Sequence, residues 1–173
     1  MTYAIARQYA LRLLRNAGMS KPAIDVEAIV ASVGLQIHRT AIPNQVSGFL
    51  LSRGSLSAIC LQASDSLERQ RFTTAHELGH WCLKHHMQAG SHVHVNRGNL
   101  IVERGRRATE GVDPKEIEAN QFAAELLMPA HMVKDQVALR TTPLCDRDVS
   151  ELSTIFKVSE LAMSIRLRNL RLS

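Results

Sequence analysis

The stretch Arg69-Gln-Arg-Phe-Thr-Thr-Ala-His76-Glu77-Leu-Gly-His80-Trp-Cys-Leu-Lys84 decides how the rest of the chain is read. Leu67, Phe72, Ala75, Leu78, Cys82 and Leu83 recur at the spacing of an amphipathic helix. On that helix the step from His76 to His80 advances about 6 Å and leaves the two side chains about 40° apart around the axis. Both imidazoles can therefore grip one metal ion. Glu77 falls about 80° to one side of their bisector, a position suited to a general base acting on water rather than to a ligand. Gly79 lies on the other flank, where the missing side chain allows a substrate backbone or a neighbouring strand to approach closely. Leu78 points away, towards a core.

Two histidines do not complete a hydrolytic zinc site, which usually takes three protein ligands and keeps a fourth position for water. The segment Asp113-Pro-Lys-Glu116-Ile-Glu118-Ala-Asn120-Gln-Phe-Ala-Ala-Glu125-Leu-Leu-Met-Pro129 opens on a helix-cap signal and stops at a proline. Glu116, Asn120, Ala123 and Leu127 share one stripe of it. Glu116 is the leading candidate for the third ligand. It also stands three residues after Asp113, the spacing of a capping box, and one carboxylate cannot easily serve both roles. Glu118, about 200° around the helix from Glu116, is the alternative ligand.

Upstream, apolar Ile5, Tyr9 and Leu13 predict a helix over residues 3–16 that ends at Gly18. Ser20-Lys-Pro22 reads as the opening of a second helix that stops at Gly34. Leu35 and Ile37, then Ser47-Gly-Phe-Leu-Leu51, then Leu56 to Leu61 read as three strands separated by Pro43-Asn44 and Arg53-Gly54-Ser55. Helices segregated from a small sheet make an α+β fold. An extended substrate pairs readily with an exposed strand. The third strand, around Ala58, Ile59 and Cys60, is the expected substrate edge.

With these blocks in hand, the chain resembles the ImmA/IrrE family of metallo-endopeptidases. The resemblance rests on Arg69 to His80 and on Glu116-Ile-Glu-Ala-Asn-Gln-Phe-Ala-Ala-Glu-Leu-Leu-Met-Pro129. Fainter echoes are Asp25-Val-Glu-Ala-Ile-Val, Ser47-Gly48-Phe49 and Val158-Ser-Glu-Leu-Ala-Met-Ser-Ile-Arg-Leu167. It implies a zincin-like fold and a Zn2+ site, with Mn2+ an alternative ion, held by His76, His80 and Glu116. Glu77 is then the catalytic carboxylate, and Asn120 orients a ligand histidine by a hydrogen bond. The implied substrate is a DNA-binding repressor of the helix-turn-helix kind.

At 173 residues and 45% hydrophobic, the chain is long enough for one ordinary core. The expected division is a metallopeptidase core with its N-terminal helix over residues 1–131, and a helical segment over 132–173 packed into the same domain. Three cysteines, Cys60, Cys82 and Cys145, are odd in number and lack CxxC spacing, so they suggest neither a disulfide framework nor a cysteine zinc site. No stretch reads as a signal peptide or a membrane span, and the expected compartment is the cytoplasm. Net charge is +5 with a pI near 9.5, a balance that favours acidic partners. The arginine groups around Arg7, Arg97 and Arg166 read as solvated surface. Direct nucleic-acid binding is the less favoured use of this charge.

The remaining histidines and the tail carry weaker signals. His85 and His86 read as helix-end residues, favoured in cationic form by the helix dipole. His92 and His94 alternate on one strand face. The polar, arginine-rich stretch from Asn96 to Gly111 reads as a loop placed to gate the site. His131, at the start of a helix over 130–139, reads as a surface residue, with an oxyanion-binding role as the sharper option. Residues 148–156 and 160–170 form two helices around Lys157-Val158-Ser159, a hairpin resembling a helix-turn-helix. From it comes a second reading, a metal-containing regulator that binds DNA or a repressor without cutting it.

Overall fold

The computed structural model describes residues 2–43, 46–53, 56–85, 92–96 and 113–172. Helix α1 (Thr2–Asn16) is followed by α2 (Val26–Ser32). The sequence places the start of α2 at Ser20 to Pro22, but the helix begins at Val26, four residues after that proline. Asp25 supplies the cap: its Oδ1 accepts from the Ala28 amide at 3.0 Å, satisfying one of the orphan donors of the first turn. The preceding residues are anchored through the Ile24 carbonyl, which accepts from Arg71 at 2.9 Å.

Strands β1 (Gln36–Thr40), β2 (Gly48–Arg53), β3 (Leu56–Gln62) and β4 (His92–Asn96) form a sheet in the order β1-β3-β2-β4. The pairing of β1 with β3 is parallel, whereas β2 runs antiparallel to both β3 and β4. This topology corrects the expected substrate edge. Ala58 is paired with Gln36 and Leu51, Ile59 with Ile37 and Leu50, and Cys60 with His38 and Phe49. β3 is therefore an inner strand, and the edges among the described residues are β1 and β4. The turn residues Arg53-Gly54-Ser55 in the sequence signal one neighbour of β3. The other comes from the parallel return of β1, which leaves no mark in local sequence.

Leu50, Ile59 and Leu61 point from the sheet into the core, beneath α3 (Leu67–Cys82). Gly48 is required where β2 meets that helix, because a Cβ there would lie 2.6 Å from both the Cys60 carbonyl oxygen and Thr73 Cγ2. Helix α4 (Pro114–Leu127) packs on α3, and α1 packs on α4. Helices α5 (Ala130–Val137), α6 (Asp146–Phe156) and α7 (Glu160–Leu170) complete the described chain. Leu152, Phe156, Met163 and Leu167 enter the same buried cluster as Ala6, Ile24, Leu50 and Phe122. Between α6 and α7, Lys157 closes the first helix in the left-handed conformation at φ 52°, a common helix-terminating geometry.

Two of the arginines read as solvated are tied to a buried acid. Arg166 on α7 is 5% exposed, pairs with Glu125 and donates to the Met128 carbonyl at 2.9 Å. Arg7 on α1 reaches the same carboxylate at 3.2 Å, and the Ala130 amide donates to its other oxygen at 3.1 Å. Burial by itself would push the Glu125 carboxyl up, but Arg166, the Ala130 amide and Arg7 together hold it below its usual range. A charge this deep persists only when paired and hydrogen-bonded. The inner face of α7 is thus occupied by Ala162, Met163, Arg166 and Leu167. Among the described residues no helix is long and apolar enough to cross a membrane.

Candidate metal centre

Ser66 starts α3 by accepting from the Arg69 amide, and Arg69 in turn donates to Ser47 Oγ at 2.7 Å and to Asp65 at 3.0 Å. The helix is thereby fixed to the approach of β2. Its inner face buries Thr73, Thr74, His76, Glu77 and His80, a polar set that a purely structural helix would not place in a core. Gly79 sits on the side facing α4, where a Cβ would lie 3.2 Å from Ala119 Cα, 3.3 Å from its carbonyl oxygen and 3.1 Å from Phe122. The close approach expected at this glycine is made by a helix, not by a strand or substrate.

That contact brings Glu116, one turn before Asn120, over the two imidazoles. Glu116 Oε2 lies 3.3 Å from His76 Nε2, and Oε1 lies 3.3 Å from His80 Nε2. The two Nε2 atoms are 3.0 Å apart. One donor atom from each of His76, His80 and Glu116 falls within 4.8 Å of the others. The capping competition is resolved by Asp113, whose own carboxylate accepts from the Lys115 amide at 2.9 Å while the Glu116 side chain turns to the histidines. His76 and His80 are buried and Glu116 is 32% exposed, so Glu116 is the member of the group that reaches solvent.

The outer nitrogens fix the protonation pattern. His76 Nδ1 is 3.0 Å from Asn120 Oδ1, an oxygen that only accepts, so His76 carries its proton on Nδ1. His80 Nδ1 is 3.0 Å from His85 Nδ1, and His85 Nε2 is 3.0 Å from Glu118 Oε2. In a neutral His85 the Nε2–H donates to the Glu118 carboxylate, and Nδ1 is then the acceptor facing His80 Nδ1. Both Nε2 lone pairs then face two carboxylate oxygens. Acceptor atoms gathered this closely repel one another, and a cation placed among them relieves that repulsion. Two neutral imidazoles and a carboxylate are donors that zinc accepts, so the residues present fit a divalent metal.

Glu118 is thus outside the donor group and belongs to His85. The cationic helix-end role expected of His85 is also corrected. Lys84, at φ 57°, turns the chain back so that His85 packs edge-on against His80. Burial pulls its imidazole below the usual range, against the upward pull of Glu118. Neither Lys84 nor its neighbours is a glycine, so nothing in the sequence announces this turn. Glu77 is fully buried on α3. His131 is exposed. Burial pushes the Cys82 thiol up to about 12, which keeps it protonated. His86, the side chains of His92 and His94, and the stretch 97–111 read as a gate lie outside the described residues.

A sheet carrying a helix with two inward histidines, and a following helix that adds a glutamate over them, has the arrangement of a zincin-like metallopeptidase. The family described as Peptidase M78, IrrE N-terminal-like domain, matches residues 31–168. The chain belongs to this metallopeptidase family, as the resemblance of its two motif blocks implies. No curated protein matches it.

Proposed function

We propose that the protein is a cytoplasmic zinc-dependent endopeptidase that hydrolyses a peptide bond in a helix-turn-helix repressor. The observation that carries the enzymatic reading is the convergence of ligand atoms from His76, His80 and Glu116 within 4.8 Å of one another, on a helix that also buries Glu77. In this reading those three residues hold the ion and Asn120 orients His76. A bound zinc ion supplies Lewis acidity, making water available as a nucleophile near neutral pH and polarising the substrate carbonyl. Glu77 accepts the proton of the attacking water and returns it to the leaving amine. Mn2+ suits the oxygen ligand as well, so the donor set leaves the choice between these ions to measurement. The repressor as substrate follows from the resemblance of the two motif blocks to this metallopeptidase family.

The second reading is a metal-containing regulator that binds DNA or a repressor without proteolysis, favoured by the charge and the α6–α7 hairpin. Against it, structural zinc sites are normally closed by four protein ligands, and the inner face of α7 is core. The deciding experiment incubates the metal-loaded protein with a helix-turn-helix repressor, with and without chelator, followed by mass spectrometry. Two fragments that vanish with chelator and with Glu77→Gln support the endopeptidase. An intact repressor together with salt-sensitive binding to duplex DNA supports the regulator.

A further inference from the structure

We propose that His85 and Glu118 are positioning residues that lock His80 in the tautomer whose Nε2 lone pair faces the metal position, giving this ligand a carboxylate backing relayed through a second imidazole. The inference rests on the metal-centre reading above and adds two residues to it. The geometry is a continuous chain of contacts from Glu118 to His80. Glu118 Oε2 is 3.0 Å from His85 Nε2, and His85 Nδ1 is 3.0 Å from His80 Nδ1. The His80 and His85 rings meet at 69° with centroids 5.0 Å apart, an edge-on arrangement that lets one ring nitrogen donate to the other.

A carboxylate only accepts, so a neutral His85 turns its Nε2–H to Glu118 and leaves Nδ1 to accept from His80. Were His80 protonated on Nε2 instead, that proton would occupy the place where the ion binds. The His85 and Glu118 side chains are 6% and 18% exposed, so water competes little for these bonds. The two ligand imidazoles are consequently held by different means. His76 is held by the neutral amide of Asn120, whereas His80 is held by a chain that ends in an ionised group, and hydrogen bonds to ionised partners are about twice as strong as neutral ones. Such outer partners also raise the basicity of the ligand nitrogen.

The test uses the full chain in two measurements, zinc affinity by competition with a chromophoric chelator, and the ring 15N signals of His80 in metal-free protein. The wild type is expected to show His80 protonated at Nδ1. His85→Leu should weaken zinc binding about ten- to a hundred-fold and release His80 into a mixture of tautomers. Glu118→Ala should weaken binding in the same direction and does not disturb the His80 ring contact, so it carries the test if His85→Leu fails to fold. His85→Gln, whose amide oxygen accepts the same proton, should recover most of the affinity, a rescue that a purely space-filling role would not predict. Unchanged zinc affinity and an unchanged His80 tautomer in folded His85→Leu or Glu118→Ala overturn the inference. A wild type that binds no zinc sinks the endopeptidase reading, while the metal-free 15N spectra still decide whether His85 sets the His80 tautomer.

Discussion

At the scale of single residues, the proposed mechanism separates groups that hold an ion from the group that reacts. Replacing Glu77 with Gln keeps the size of the side chain and removes the base, so peptide hydrolysis should fall about 100- to 10,000-fold with zinc content unchanged by elemental analysis. Retained turnover in the zinc-loaded variant would remove Glu77 from the chemistry. Glu116→Ala leaves two imidazoles as ligands and should lose stoichiometric zinc on dialysis. The histidine pair was legible because a four-residue step on a helix is a direct statement about angle. The choice between Glu116 and Glu118 was not, since helical periodicity says in which direction a carboxylate points and not what meets it there. Glu118 meets His85, which returns to the site only through the left-handed Lys84.

At the scale of elements, spacing between α3 and α4 is set by Gly79 against Ala119. Gly79→Ala gains up to about 1 kcal/mol in helix propensity but forces a methyl group against the facing backbone, and overpacking of this kind costs about 1–3 kcal/mol. The net expectation is a lower melting temperature together with weaker zinc binding, because the strain moves Glu116 relative to the histidines. A melting temperature equal to or above that of the wild type would show that α4 yields freely. The inner position of β3 alters another expectation. Had Ile59 lain on a substrate edge, Ile59→Pro would have raised KM and spared the metal. In an inner strand proline removes a ladder hydrogen bond, and the expected result is loss of folded protein, read by circular dichroism. The strands themselves were readable from alternation and turn residues, whereas their lateral order depends on contacts distant in sequence.

At the scale of the whole molecule, α1, α4 and α7 are joined at Glu125. Arg166→Met strips the deepest partner from that carboxylate and is expected to cost about 3–5 kcal/mol, the range for breaking a buried pair, measured by urea denaturation. Because the Glu125 carboxyl has a lower pKa folded than unfolded, its contribution is complete above about 4.5 and is lost as pH falls through the native value. Wild-type stability should therefore drop on acidification, and the double variant Glu125→Gln/Arg166→Met should show a shallower drop. An equally steep acid limb in that variant would assign the loss to other carboxylates. The contact of Gly79 with the backbone of α4 has a consequence for how an ion enters. Because main-chain atoms and not the cation determine how far apart the two helices stand, the receptacle is preassembled. Loading should then proceed at a rate set by dehydration of the incoming ion, with the amide resonances of both helices scarcely displaced between empty and filled protein.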